Sequence, residues 1–253
     1  MLKVVFVQAV CASMKKFDGE IMKTMMKHLK GMFVFSFAVL LTACSVTPQP
    51  TVALDANLLS KDMKIGVVYV QPADKATTHI LGANCLLCYG IAAALTSELD
   101  THLESSLTNE ELDNIKELVL SEYATRASQV KLVDLGMDIR DLKDSNKGLG
   151  FASKDFTGLK EKMDLDLLVV LQIFQHGAYR SFSNYIPNTD PQGYVNGMLY
   201  AVDLNTNAYV QYLVIDEKVQ PVGEWDEPST FPSVTTSYYQ AVENVKHNIK
   251  QAI

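Results

Sequence analysis

Leu165-Asp-Leu-Leu-Val-Val-Leu-Gln-Ile-Phe174 is the most apolar run in the chain beyond its amino-terminal sixty residues. It carries no polar alternation and is rich in Leu, Ile and Val. Ten residues of this kind read as a strand buried on both faces, at the centre of a sheet rather than its edge. The fold has to be built around it.

Working outward, Tyr194–Leu204 and Ala208–Gln220 alternate about Asn205-Thr206-Asn207, which is a hairpin signal. Between them and the central run, Ser181–Gly193 carries Pro187, Asn188, Asp190, Pro191 and Gly193 and reads as a broad turn. Toward the amino terminus, Lys64–Val70 (KIGVVYV) is a β-branched strand stopped by Pro72, and Gln71–Gly82 reads as a loop. Asn84 is placed to cap a helix running to about Ser105, with Ile91, Leu95, Leu99 and Leu103 on its inward stripe. Thr108 with Glu111 forms a capping box, with Leu107 and Leu112 as the staple, for a second helix reaching about Ser128. A short strand at Gln129–Leu135, an irregular stretch over 138–154 and a short helix at Asp155–Met163 follow. The chain closes on a helix capped by Ser233 or Thr235, with Tyr238, Val242, Val245 and Ile249 inward. This order predicts an α/β (α+β) domain: one mixed sheet of about five strands with helices packed on it. The early strands, joined through helices, pair parallel; the last three, joined by turns, pair antiparallel.

The chain has 253 residues, 48% hydrophobic and 20% charged, with a formal net charge of −7. That mixture excludes an intrinsically disordered chain and a polytopic membrane protein. Met22–Ala43 has three lysines (23, 27, 30) ahead of a ten-residue apolar core, Met32–Leu41. The core is too short to span a bilayer, which needs about 20 residues, and has the length of a signal-peptide core. Leu41-Thr42-Ala43-Cys44 then resembles the lipobox of bacterial lipoproteins. The resemblance implies cleavage before Cys44, acylation of that cysteine, and a membrane link through its lipid. Ser45 rather than Asp after the cysteine is similar to the outer-membrane sorting pattern, with the domain facing the periplasm.

Residues 1–21 have no role in this scheme and read as an extension from an early start codon. Residues 44–63, with Pro48 and Pro50, read as a lipidated tether, and 64–253 as the periplasmic domain. Residues 1–43 hold six lysines and two acids, so the remainder keeps 16 basic and 27 acidic groups, a net of −11. Such a surface repels nucleic-acid phosphates and anionic lipid alike.

The succession of KIGVVYV, helix, LDLLVVLQI, the hairpin VDLNTNAYVQY and a closing helix resembles the amino-terminal domain of the TolB translocation protein and the lipoprotein of the curli secretion channel. In those families the hairpin turn carries a glycine. Here Asn207 stands in its place, and Asn tolerates the same left-handed conformation. The resemblance implies a non-enzymatic part in assembling, scaffolding or regulating envelope machinery, through envelope proteins or self-association.

Cys85 and Cys88 are the thiols left after Cys44. In an oxidising compartment they are placed to form a local disulfide. Two other readings stay open: a reactive redox pair at a helix amino terminus, and half of a tetrahedral thiolate metal site, with His79 the one nearby imidazole. No second CxxC or His pair completes a metal site, so neither metal nor cofactor is expected. Ser128-Gln-Val-Lys131 has the S-x-x-K spacing of acyl enzymes without its companion motifs. His102, His176 and His247 are scattered. Asp138, Asp141 and Asp144 form an acidic loop without the order of a calcium site. Tyr179, Phe182 and Tyr185 are aromatics suited either to core or to an interface. The expectation is a binding protein, with a thiol–disulfide or metal-binding protein using Cys85 and Cys88 as the alternative.

Overall fold

The computed structural model describes residues 47–227 and 230–253. The predicted signal segment, the extension ahead of it and Cys44 lie outside the described residues. The compact unit containing the domain runs from Gln49 to Ile253. Val52 forms an antiparallel bridge to Tyr212, and Leu54, Leu59 and Met63 pack against the core. The later part of the predicted tether is therefore docked on the domain.

The described strands are β1 (Lys64–Val70), β2 (Thr77–Leu81), β3 (Gln129–Leu132), β4 (Leu167–Ser183), β5 (Ile186–Pro187), β6 (Gln192–Asp203) and β7 (Tyr209–Val219). The helices are α1 (Leu86–Ala94), α2 (Ser97–Ser106), α3 (Glu110–Arg126), α4 (Leu159–Met163) and α5 (Pro232–Ala252). One mixed sheet runs β3-β1-β4-β6-β7. β1 pairs parallel with β3 and β4, while β4, β6 and β7 pair antiparallel. The predicted class and strand directions hold. The sheet has seven strands rather than about five, because β2 and β5 also pair with β4.

Leu167–Leu171 is buried on both faces, as an uninterrupted apolar run requires. On one face Val169 and Leu171 meet Leu99 and Leu103 of α2, Ile115 and Val119 of α3, and Tyr238 and Val242 of α5. On the other, Leu168 and Val170 meet Leu135, Phe156 and Leu159 from the 134–165 excursion. All four inward residues predicted for the last helix are buried.

Several boundaries differ, each for a local reason. β4 is 17 residues long and continues past Phe174 through a bulge between Ile173 and Gln175. Its extension pairs parallel with β2, in the stretch read as a loop. Gly177 permits this: its φ is +120°, and a β-carbon there would come within 2.6 Å of the Thr77 carbonyl oxygen.

The single helix expected over 84–105 is two, α1 and α2. Thr96 breaks it: its hydroxyl bonds the Ala93 carbonyl and the Asp100 carboxylate, which in turn accepts the Thr78 N–H of β2. Ile91 and Leu95 face outward, and the inward residues are Cys88 and Ala92, then Leu99 and Leu103. Cys85, not Asn84, occupies the cap position of α1. α3 starts at Glu110, one residue later than the capping box implies, although Thr108 Oγ1 still accepts the Glu110 N–H and the staple pair Leu107 and Leu112 is buried. α4 is confined to Leu159–Met163, and α5 begins at Pro232 without the expected Ser233 or Thr235 cap.

Candidate interaction surface

β4 pairs along one side with two strands in succession, β1 with Leu167–Gln172 and β2 with Gly177–Ser181. The second half of the sheet therefore projects beyond the first and ends in a tip where two loops meet. After β2 the chain turns at Gly82, φ +88°, where a β-carbon would collide with the Phe182 carbonyl oxygen. Asn184 N–H donates to the Gly82 carbonyl at 3.1 Å, joining this turn to the β4–β5 hairpin. That hairpin is braced by Ser183 Oγ donating to Asn188 Oδ1 (3.0 Å) and by Asn188 N–H donating to the Ser181 carbonyl (2.9 Å).

The two segments that meet here carry no charged residue over Ile80–Ser97 or over Ser181–Thr189. Apart from the buried Phe182, Cys88 and Ala92, most of their large apolar side chains point outward. Leu86 is 92% exposed and Leu87 74%, and Leu81, Tyr89, Tyr185 and Ile186 are each more than half exposed. Against about 200 Å² for a large side chain, these six residues present roughly 750 Å². As a sum over residues that exceeds the few hundred Å² that an apolar patch usually reaches on a monomeric soluble protein. α1 contributes most of it, since only Cys88 and Ala92 of its nine residues are buried.

Cys85 and Cys88 staple the start of this helix. They form a disulfide with Cα atoms 4.9 Å apart, and Cys85 Sγ accepts the Cys88 N–H at 2.9 Å. The bridge closes the first turn in covalent form, so Leu86 and Leu87, which lie between the two cysteines, are held at the apex.

The other residues singled out in the sequence fall elsewhere. His79 lies in β2 within an aromatic row across the open sheet face, its ring 6.0 Å from Tyr179 and 5.6 Å from Tyr194. Lys218 caps the row, 4.9 Å from the Tyr179 ring, and is itself paired with Asp216. Burial, then the Lys218 charge, holds the His79 pKa below its ordinary value against the opposing pull of Asp216. Phe182 is buried and Tyr185 exposed.

Ser128 donates to the Lys61 carbonyl, and Lys131 of the same spacing is exposed. In the acidic loop Asp138 pairs with Arg140, whose hydrogen bonds hold its pKa down at about 2, and Asp144 pairs with Lys154. His102 bonds Thr235 and Ser106, and His247 bonds Gln251. His176 is buried, with Nδ1 3.1 Å from the Tyr238 hydroxyl, and desolvation lowers its pKa to about 4. Among the described residues no three His, Cys, Asp or Glu side chains gather in a way that would hold a metal ion.

A crevice of about 690 Å³ opens at the carboxyl ends of β1 and β3, lined by Tyr69, Lys116, Leu132, Leu135 and Met137 among others. Its one cation, Lys116, is already paired with Asp113 and Glu117. The crevice is shallow and mostly apolar, and presents no nucleophile with a base.

Of the tip, sequence reasoning named Tyr185, as an aromatic suited to core or interface, and the two cysteines, but not the exposed leucines of α1. Their signal is the charge-free stretch over Ile80–Ser97, which holds more large apolar residues than one inward stripe needs. No helix among the described residues is long and apolar enough to cross a membrane.

No family model matches the sequence, and no curated protein is similar to it at a significant level. Among solved structures the chain is similar to the PelC dodecamer from Paraburkholderia phytofirmans, at 8% identity over 78% of this chain and 95% of that one, with a TM-score of 0.32. It is also similar to hypothetical protein CT253 from Chlamydia trachomatis, at 7% identity over 75% and 97% of the two chains, TM-score 0.31. Lipoprotein GNA1162 from Neisseria meningitidis is 8% identical over 71% and 99%, TM-score 0.25. Likeness at this level carries no inference about function.

Proposed function

We propose that this chain is a lipid-anchored protein of the bacterial outer membrane, held by Cys44 and facing the periplasm, that works by binding rather than by chemistry. It acts as an assembly, scaffold or accessory component of an envelope complex. The observation that carries this reading is the uncharged apolar tip, a rigid surface with the size and composition of an interface on an otherwise acidic chain. The lipobox at Leu41–Cys44 and the resemblance to the TolB amino-terminal domain and the curli lipoprotein point the same way.

The alternative uses the same helix differently. Cys85 is exposed at the amino terminus of α1 with an N–H aimed at its sulfur, a setting that stabilises a thiolate and so favours thiol–disulfide exchange or metal capture. One comparison separates the two. Leu86→Asp/Leu87→Asp and Cys85→Ser/Cys88→Ser variants are expressed in place of the wild type, and each is compared with a deletion. Binding through the tip predicts that the aspartate pair, which keeps both cysteines, reproduces the deletion phenotype at normal protein level, with the serine pair impaired less because it loosens α1 but keeps its leucines. The reverse pattern establishes the thiol reading. Radiolabelled palmitate incorporated by the wild type but not by Cys44→Ser tests the anchor separately, and an unlabelled wild type would refute it.

A further inference from the structure

Resting on the reading that the tip is the chain's binding element, we infer that its occupant is a second copy of this chain, the two tips meeting about a two-fold axis with their α1 helices antiparallel and crossing at Gly90. The first argument is the shape of α1. At 100° per residue, the buried Cys88 and Ala92 mark the inward direction, and the opposite direction falls on Gly90, between Leu86 and Ala94. A β-carbon at Gly90 would have no atom within 4 Å among the described residues, so nothing described in this chain requires glycine there. Mid-helix glycine lowers helix stability. A bare backbone at the centre of the outward face instead lets a second helix approach closely, with Leu86 and Leu87 of each copy lying over Ala93 and Ala94 of the other.

Charge supplies the second argument. From Cys44 onward each copy carries eleven more acidic than basic groups, so apposing most surfaces sets like charges against each other. The tip, uncharged over both Ile80–Ser97 and Ser181–Thr189, can meet its own copy without that opposition. Area is the third. Roughly 750 Å² on each copy offers up to about 1,500 Å² to a two-fold pair, within the range of a standard stable interface. A self-complementary patch is what a two-fold interface demands.

The test is sedimentation equilibrium of the purified full chain in density-matched detergent at micromolar concentration. The wild type is expected as two chains. Leu86→Asp/Leu87→Asp is expected as one, with association weakened at least tenfold, while Leu149→Asp, at an exposed apolar position outside the tip, stays paired. Gly90→Leu separates the crossing from general stickiness: it adds apolar surface and helix propensity, yet is expected to abolish pairing because its side chain fills the contact. A one-chain wild type overturns the inference, as does a pair that survives both the aspartate and the leucine changes. If the wild type is a single chain and the aspartate pair still reproduces the deletion phenotype, the second copy is excluded while the binding role of the tip stands. If the aspartate pair changes neither mass nor phenotype, both fall.

Discussion

Asn207 offers a sharp test of what holds the two halves of the domain together, because two physical accounts of it predict opposite signs. It sits in the β6–β7 turn with φ +65°. If its role were only to adopt that left-handed conformation, glycine would do as well, relieving about 1 kcal/mol of backbone strain. The structure gives the side chain other work. Asn207 is fully buried, Oδ1 accepts the Phe156 N–H at 2.9 Å, and Nδ2 donates to the carbonyls of Lys154 (2.9 Å) and Ala152 (3.2 Å). It thereby bolts the hairpin to the 152–156 segment that covers the second core. Asn207→Gly removes three hydrogen bonds and strands their partners, each worth about 1–1.5 kcal/mol. Against the strain relieved, the net loss is about 2–3 kcal/mol. For a domain of this size that corresponds to a fall in Tm of roughly 5–10 °C. Urea titration and calorimetry of Asn207→Gly, with Asn207→Ala as a second variant lacking both the bonds and the turn preference, measure it directly. A glycine variant as stable as the wild type, or more so, would refute the bolt and leave Asn207 as a turn residue only.

Two further predictions concern the buried histidine and the staple. His176 has its pKa lowered from 6.5 to about 4, so below pH 6.5 the unfolded chain takes up a proton that the folded chain resists. Stability therefore falls as pH drops through this window, by about 2 kcal/mol between pH 7 and pH 5. Urea unfolding at both pH values should show that loss in the wild type and about that much less pH dependence in His176→Gln, and equal slopes in the two proteins would contradict the assignment. The Cys85–Cys88 bridge closes a four-residue loop, which limits its stabilisation to about 2 kcal/mol, and α1 buries only two side chains. Cys85→Ser/Cys88→Ser should accordingly speed amide exchange over Leu86–Ala94 and lower Tm by at most about 4–8 °C. Unchanged exchange there would mean that the staple does not order the tip.

The elements that were legible in the sequence are those whose patterns are local. Leu167–Leu171 declared a doubly buried strand by lacking any polar face, and Tyr238, Val242, Val245 and Ile249 declared one face of a helix by their spacing. What escaped the reading depends on partners far along the chain. Thr77–Leu81 is five residues with a histidine at its centre, and it is a strand because the bare backbone of Gly177, a hundred residues later, lies beside it. The extension of β4 was hidden because the apolar run stops at Phe174, where a bulge between Ile173 and Gln175 is followed by the close approach of Gly177 to β2. The helix break at Thr96 follows from the pull of Thr78 on Asp100, which no spacing rule contains.

These misses share a cause, and it is the same cause that makes the tip. Amphipathic reasoning assigns large apolar residues to the interior, so Ile91 and Leu95 read as core in continuity with Leu99 and Leu103. On a straight helix from Asn84 to Ser105, 100° per residue would place Leu95 about 60° and Ile91 about 100° from the direction of Leu99 and Leu103, at the margin of the buried stripe. The small residues Cys88 and Ala92 share the direction of Leu99 and Leu103 and are buried, while Leu86, Leu87 and Ile91 face out, and the turn at Thr96, held by Asp100 and through it by β2, fixes where α1 ends. β2 can hold Asp100 only because the bulge and Gly177 let β4 run on to receive β2. The exposed leucines are thus not a failure of the core to cover them. They are fixed outward by a chain of specific contacts that reaches into the centre of the sheet, and a surface fixed in that way is pre-organised for whatever it meets.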